Sequence, residues 1–112
     1  MRKRTEFWTV RDAYSGHRLC FIVGHDIHER LRGPSLGRIS RRRVRCFDQT
    51  VAVLDGHYVR GRHGEVLATI CDDEIRDGID GPLLARFDGG TEVGLGGAAF
   101  LFRLLGDPAC GG

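Results

Sequence analysis

No apolar run in the chain approaches the roughly 18 residues that a membrane-crossing helix needs. The basic start, residues 1–8, leads into no apolar stretch of the kind an export signal carries. No two of the four cysteines stand in C-x-x-C spacing, so zinc-ribbon and thioredoxin patterns are missing. P-loop, G-x-S-x-G and H-E-x-x-H motifs are absent as well, which removes the most legible enzyme classes. These gaps predict a cytoplasmic, non-enzymatic protein with reduced thiols, no cofactor and no membrane contact. Cys20, Cys46 and Cys71 then read as small core side chains, and Cys110 as an exposed thiol.

What is present suits one folded domain. The chain has 112 residues, of which 41% are hydrophobic and 29% charged. A chain of this size buries about two-thirds of its extended surface, enough for one core without staples. The expected domain covers residues 1–106, with 107–112 as a flexible tail. Net charge is only +2, but it is unevenly spread. Residues 1–45 hold 12 Lys/Arg against 4 Asp/Glu, while residues 46–112 hold 5 against 11. Two oppositely charged halves of one small domain can simply neutralise each other, or the basic half can hold an anion.

An internal repeat organises the rest. Gly16 to Ile22, Gly33 to Ile39, Gly64 to Ile70 and Gly81 to Phe87 all read G-x-x-L-x-x-[I/F]. A degenerate copy runs from Asp48 to Leu54, with Asp in the glycine column and Val51 in the leucine column. A β-branched residue opens each unit at Val10, Ile27, Val44, Val59 and Ile75, and a basic residue follows at Arg11, His28, Arg45, Arg60 and Arg76. Units of 15–17 residues are too short for helix pairs or βαβ crossovers. They fit two short strands and two turns, the second turn being polar or Gly/Asp-rich. The fold class this predicts is all-β: a compact closed or nearly closed array of five hairpin-like repeats with pseudo-symmetry. The spacing of three in L-x-x-I puts the two residues on opposite strand faces unless a bulge realigns them. Residues 7–10 and 98–105 read as strands that pair with each other or complete the array. Gly94, Gly96 and Gly97 read as a loop or tight bend before the last of these. A short helix at 26–32 or in the last segment is the alternative. Trp8 reads as a core anchor.

The stretch Gly33-Pro34-Ser35-Leu36-Gly37-Arg38-Ile39, and Ile75-Arg76-Asp77 followed by Gly81, resemble the strand motifs of the bacterial 4-fold beta flower proteins. The likeness covers residues 10–90. It implies an all-β array of two-stranded units around a pseudo-symmetry axis, and no activity or site residues. This chain departs from that pattern in having five units and few strand Tyr or Trp residues.

Candidate sites follow from charge and ligand chemistry. Arg41-Arg42-Arg43 with Arg45 is the densest basic cluster and is suited to phosphate contacts without base specificity. The basic column of the repeat would form a ring in a closed array. His25 and His28, with Cys20 upstream and His57 or Cys46 brought in by the fold, would suit zinc, although turn histidines are usually solvated. Asp72, Asp73, Glu74, Asp77 and Asp80 read as a solvated acidic face that shares an end with the arginine turn. The leading expectation is a binding module for another protein or for a copy of itself. The alternative is a nucleic-acid or polyanion binder using Arg41, Arg42, Arg43 and Arg45. A metal-dependent enzyme is the third reading.

Overall fold

A computed structural model describes residues 7–105. Ten antiparallel strands follow one another around a closed barrel. They are β1 (Phe7–Asp12), β2 (Arg18–Val23), β3 (Asp26–His28), β4 (Ser35–Ser40), β5 (Arg43–Cys46), β6 (Gln49–Asp55), β7 (Tyr58–Arg60), β8 (Val66–Cys71), β9 (Glu74–Asp77) and β10 (Leu83–Phe87). One helix, α1 (Thr91–Leu101), comes after all of them. Each sequence repeat is one odd strand followed by one even strand, so the five units account for the whole wall.

The repeat columns become rings on the inner face. Val10, Ile27, Val44, Val59 and Ile75 are all 0% exposed. Each faces a small residue across the ladder: Cys20, Gly37, Ala52, Ala68 and Ala85. Two residues further on, Ile22, Ile39, Leu54, Ile70 and Phe87 point the same way and are also buried. The leucine column has a different role. In every unit the register skips it: Leu19, Leu36, Val51, Leu67 and Leu84 have no partner in the ladder. A bulge is therefore built into each unit at the same place, and it lets the L and I of L-x-x-I share the load of covering apolar surface.

Connections alternate between the two ends of the barrel. The even-to-odd turns are Gly24-His25, Arg41-Arg42, Gly56-His57 and Asp72-Asp73, each two residues long between paired strand ends. Their first residues all have positive φ, between 55° and 62°, as hairpin turns of this length demand. The second residue of each accepts a hydrogen bond from the next unit: Ile39 N–H to His25, Leu54 to Arg42, Ile70 to His57 and Phe87 to Asp73. We call this end the turn pole. The odd-to-even loops, which carry the glycine column, form the loop pole.

Closure comes from β1 pairing with β10, Val10 opposite Phe87. Asp88 clips the seam: its carboxylate accepts the Thr9 N–H at 2.7 Å. This corrects the expectation that residues 98–105 would pair with residues 7–10 or complete the array. Those residues, and the glycines before them, belong instead to α1 and its C-terminal turn. The helix is buried from Val93 to Ala99 and packs against strands all round the barrel wall. It fills the barrel. An eight-stranded barrel is filled by its own side chains, and a ten-stranded one is wider. A helix with side chains of ordinary size would overfill the space. Glycines set the fit: a Cβ at Gly94 would come within 2.7 Å of the Phe87 ring, one at Gly96 within 2.7 Å of Ile39, and one at Gly97 within 2.9 Å of Val10. The helix ends in a Schellman turn, with Leu104 N–H bonded to Ala99 and Arg103 N–H to Phe100, and Arg103 itself at φ 56°.

Two further side chains lie elsewhere than expected. Trp8 is 41% exposed and lies over Gly89 beyond the end of β10, so it is not a core anchor. Cys71 is exposed at the end of β8, whereas Cys20 and Cys46 are buried as expected. Cys110 and the expected tail lie outside the described residues.

Two outcomes follow from this architecture. Gly94→Ala gains helix propensity, worth about 1 kcal/mol at an open site. Here the added methyl meets a rigid ring in a closed core, and the variant is expected to lose about 1–3 kcal/mol, read as a lower urea midpoint at unchanged m-value. The second concerns Asp12, whose exposed carboxylate accepts N–H bonds from Ser15 at 2.8 Å and Tyr14 at 3.0 Å. These bonds, the Ser15 N–H foremost, hold its pKa below the ordinary 3.8. A folded pKa below the unfolded one gives stability that is present above the unfolded value and lost as pH falls through the folded one. Urea titrations across the acid range should therefore show a shallower acid loss for Asp12→Asn than for the parent.

Candidate polyanion-binding site

The β4–β5 hairpin carries the site. Its two-residue turn fixes the register Ser40 to Arg43, Ile39 to Val44 and Arg38 to Arg45. Ile39 and Val44 point into the core, so Arg38, Arg43 and Arg45 face outward. Arg43 and Arg45 are two residues apart on one strand, about 6.7 Å along the outer face. Arg41 and Arg42 form the turn itself. Five arginines thus occupy one hairpin, and all five are exposed.

Two local features run against stability. Arg38 and Arg45 stand directly opposite each other, a like-charge pair of the kind that destabilises a ladder. Arg41 sits at φ 59°, in the column where other units place Gly24, Gly56 and Asp72. A left-handed conformation costs an L-residue with a Cβ about 1–2 kcal/mol. The unit therefore keeps arginine at a position the fold would rather give to glycine.

Three other arginines are neutralised by acidic side chains. Arg60 pairs with Asp55 at 2.8 Å, Arg76 with Glu74 at 2.9 Å, and Arg86 with Asp73 and Glu74. Among the described residues, no ion pair joins an acidic side chain to Arg38, Arg41, Arg42, Arg43 or Arg45. Asp26 lies opposite Arg38 in the ladder but accepts from the Ser35 hydroxyl instead. Two open clefts flank the turn. One, of about 500 Å³, is lined by Ser40, Arg41, Arg42, Arg43 and Arg45. The other, of about 580 Å³, lies between Arg41, Arg42, His57 and the start of α1 at Thr91 and Glu92.

The structure thus brings together all four arginines singled out in the sequence and adds Arg38. The signal for Arg38 was legible: a two-residue turn at 41–42 forces 38 opposite 45. Four of the five basic-column residues also have a structural use. His28 is bonded through Nδ1 to the Gly33 carbonyl, Arg45 donates to Asp48, Arg60 to Gly64 and Arg76 to Gly81. In four units the basic side chain ties down the carbonyl of its own glycine-column residue.

The histidine reading does not assemble. His25 lies in a turn at the turn pole, while His28 is committed to its loop at the opposite end of β3. Among the described residues, no group of three or more His, Cys, Asp or Glu could hold a metal ion. Burial pushes the Cys20 thiol up to about 12, so it stays protonated and unreactive at neutral pH. The acidic run is partly spent on structure: Asp73 and Glu74 hold Arg86, and Glu74 also holds Arg76. No helix among the described residues is long and apolar enough to cross a membrane. Comparison with known protein families, with curated proteins and with solved structures finds no match.

Proposed function

We propose that the protein is a non-enzymatic, cytoplasmic binding module that holds a phosphate-bearing polyanion, foremost a nucleic-acid backbone, on the β4–β5 hairpin. One observation carries this reading: five exposed arginines lie on one hairpin with no acidic partner among the described residues, while Arg60, Arg76 and Arg86 are neutralised in place. Guanidinium groups suit this task because their planar fork matches phosphate oxygens two at a time. The hairpin lies in the barrel wall and does not project from it, so it meets a backbone edge-on and reads no bases. Affinity then comes from counterion release, and it is steeply salt-dependent.

Fluorescence anisotropy with short duplex DNA tests this. Binding at low salt should weaken as salt rises with a log–log slope of about −0.9 per phosphate contacted. Arg41→Ala, Arg42→Ala and Arg43→Ala together should reduce that slope by nearly three contacts and abolish binding at physiological salt. A triple variant that binds like the parent removes the proposal. Arg41→Gly separates fold from function at a single position. Relief of the left-handed strain should raise stability by about 1 kcal/mol while DNA affinity falls. A variant that is stabilised with unchanged affinity would show that Arg41 takes no part.

A further inference from the structure

The loop pole has the opposite character. Tyr14, Leu31, Phe47 and Ile79 each come from a different unit, and each lies in an odd-to-even loop. They are 80%, 42%, 65% and 63% exposed. The same end receives Phe102, Leu104 and Leu105, where the chain leaves α1 and Leu105 packs over Gly37. Four of the six exposed large apolar side chains among the described residues therefore lie at this end, and exposed apolar surface of this kind marks an interaction site. Backbone strain points the same way. Phe47 is held at φ 51° and Asp48 at φ 65°, in a two-residue turn that favours Asn-Gly. An aromatic residue at positive φ, aimed at solvent, is a costly way to build a turn.

The charges around this pole identify the occupant. Unit 2 carries Arg30 and Arg32, with Glu29 beside them, and unit 5 carries Asp77 and Asp80. Unit 3 carries Asp48, and unit 4 carries Arg62 and His63, with Glu65 beside them. Consider two such rings stacked face to face about a twofold axis that runs through unit 1. Flipping one ring reverses its order, so unit 1 meets unit 1, unit 2 meets unit 5, and unit 3 meets unit 4. The Arg30 and Arg32 loop of unit 2 then faces the Asp77 and Asp80 loop of unit 5 on both sides of the axis, and Tyr14 meets its own counterpart. A self-complementary patch of this kind is what an isologous dimer requires. A partner of one charge sign would not suit a rim that carries both. We infer that the loop pole is the interface with a second copy of this chain, docked loop pole to loop pole about a twofold axis through the β1–β2 loop. The inference is independent of the arginine hairpin, whose turn lies at the far pole.

Light scattering coupled to sizing chromatography tests it. The parent should elute at twice its 12.4 kDa monomer mass. Arg30→Glu with Arg32→Glu makes units 2 and 5 both acidic, and Asp77→Arg with Asp80→Arg makes both basic. Each variant alone should fall to monomer mass, and an equimolar mixture should return to dimer mass, because acidic loops then face basic ones on both sides of the axis. Phe47→Asn relieves the strained turn and removes the exposed ring. It should be at least as stable to urea as the parent, yet weaken dimerisation about tenfold or more. A monomeric parent, a parent that instead sediments with neutral lipid vesicles, or charge variants that dimerise alone and do not prefer each other would overturn the inference.

Discussion

Close contact between a glycine-bearing helix and a ring of β-branched side chains is the constraint on which this molecule depends. Ten strands enclose more space than their own inward residues fill, and α1 occupies the remainder. The fit is set from both sides. On the wall, the small column Cys20, Gly37, Ala52, Ala68 and Ala85 makes room. On the helix, Gly94, Gly96 and Gly97 let Phe87, Ile39 and Val10 approach within a distance that no added Cβ would permit. Glycines are poor helix formers, so α1 exists because the wall holds it and not because its own residues favour it.

The five units are coupled as well as similar. Each turn-pole carbonyl receives a hydrogen bond from the following unit, and four of the five basic residues at the odd-strand ends secure their own loops. The regular bulge at the leucine column re-aims every even strand in the same way, which is how a flat hairpin array acquires the curvature to close. Symmetry at the level of the backbone leaves the turn and loop residues free to differ. One set of tips carries arginine, histidine and aspartate. The other carries tyrosine, leucine, phenylalanine and isoleucine. A single scaffold thereby presents two chemically distinct ends.

Most of the wall was legible in the sequence because the repeat writes each inward position five times over. Val10, Ile27, Val44, Val59 and Ile75 could be aligned with no structural information, and so could the turn at Arg41-Arg42. The helix was legible only as the alternative for the last segment, for a physical reason. Its sequence, Thr91 to Leu101, is apolar on every side, so it has no amphipathic period, and three glycines make it look like a loop. A helix buried all round in a barrel is recognised by the space it must fill, and that space is a property of the closed wall. The site was legible in part. The arginine cluster is contiguous in sequence, but its lack of acidic partners depends on which strands lie beside it. The apolar pole was scattered over four loops, with each residue isolated among polar neighbours.

Placing the filler after all ten strands also shapes how the molecule comes into being. All ten staves leave the ribosome before the segment that occupies their centre. Until that segment emerges, the inward methyl groups of the strands lack the surface they pack against in the finished barrel. The complete interior cannot form until residues 91–101 have emerged, because no strand residue takes the place of the helix.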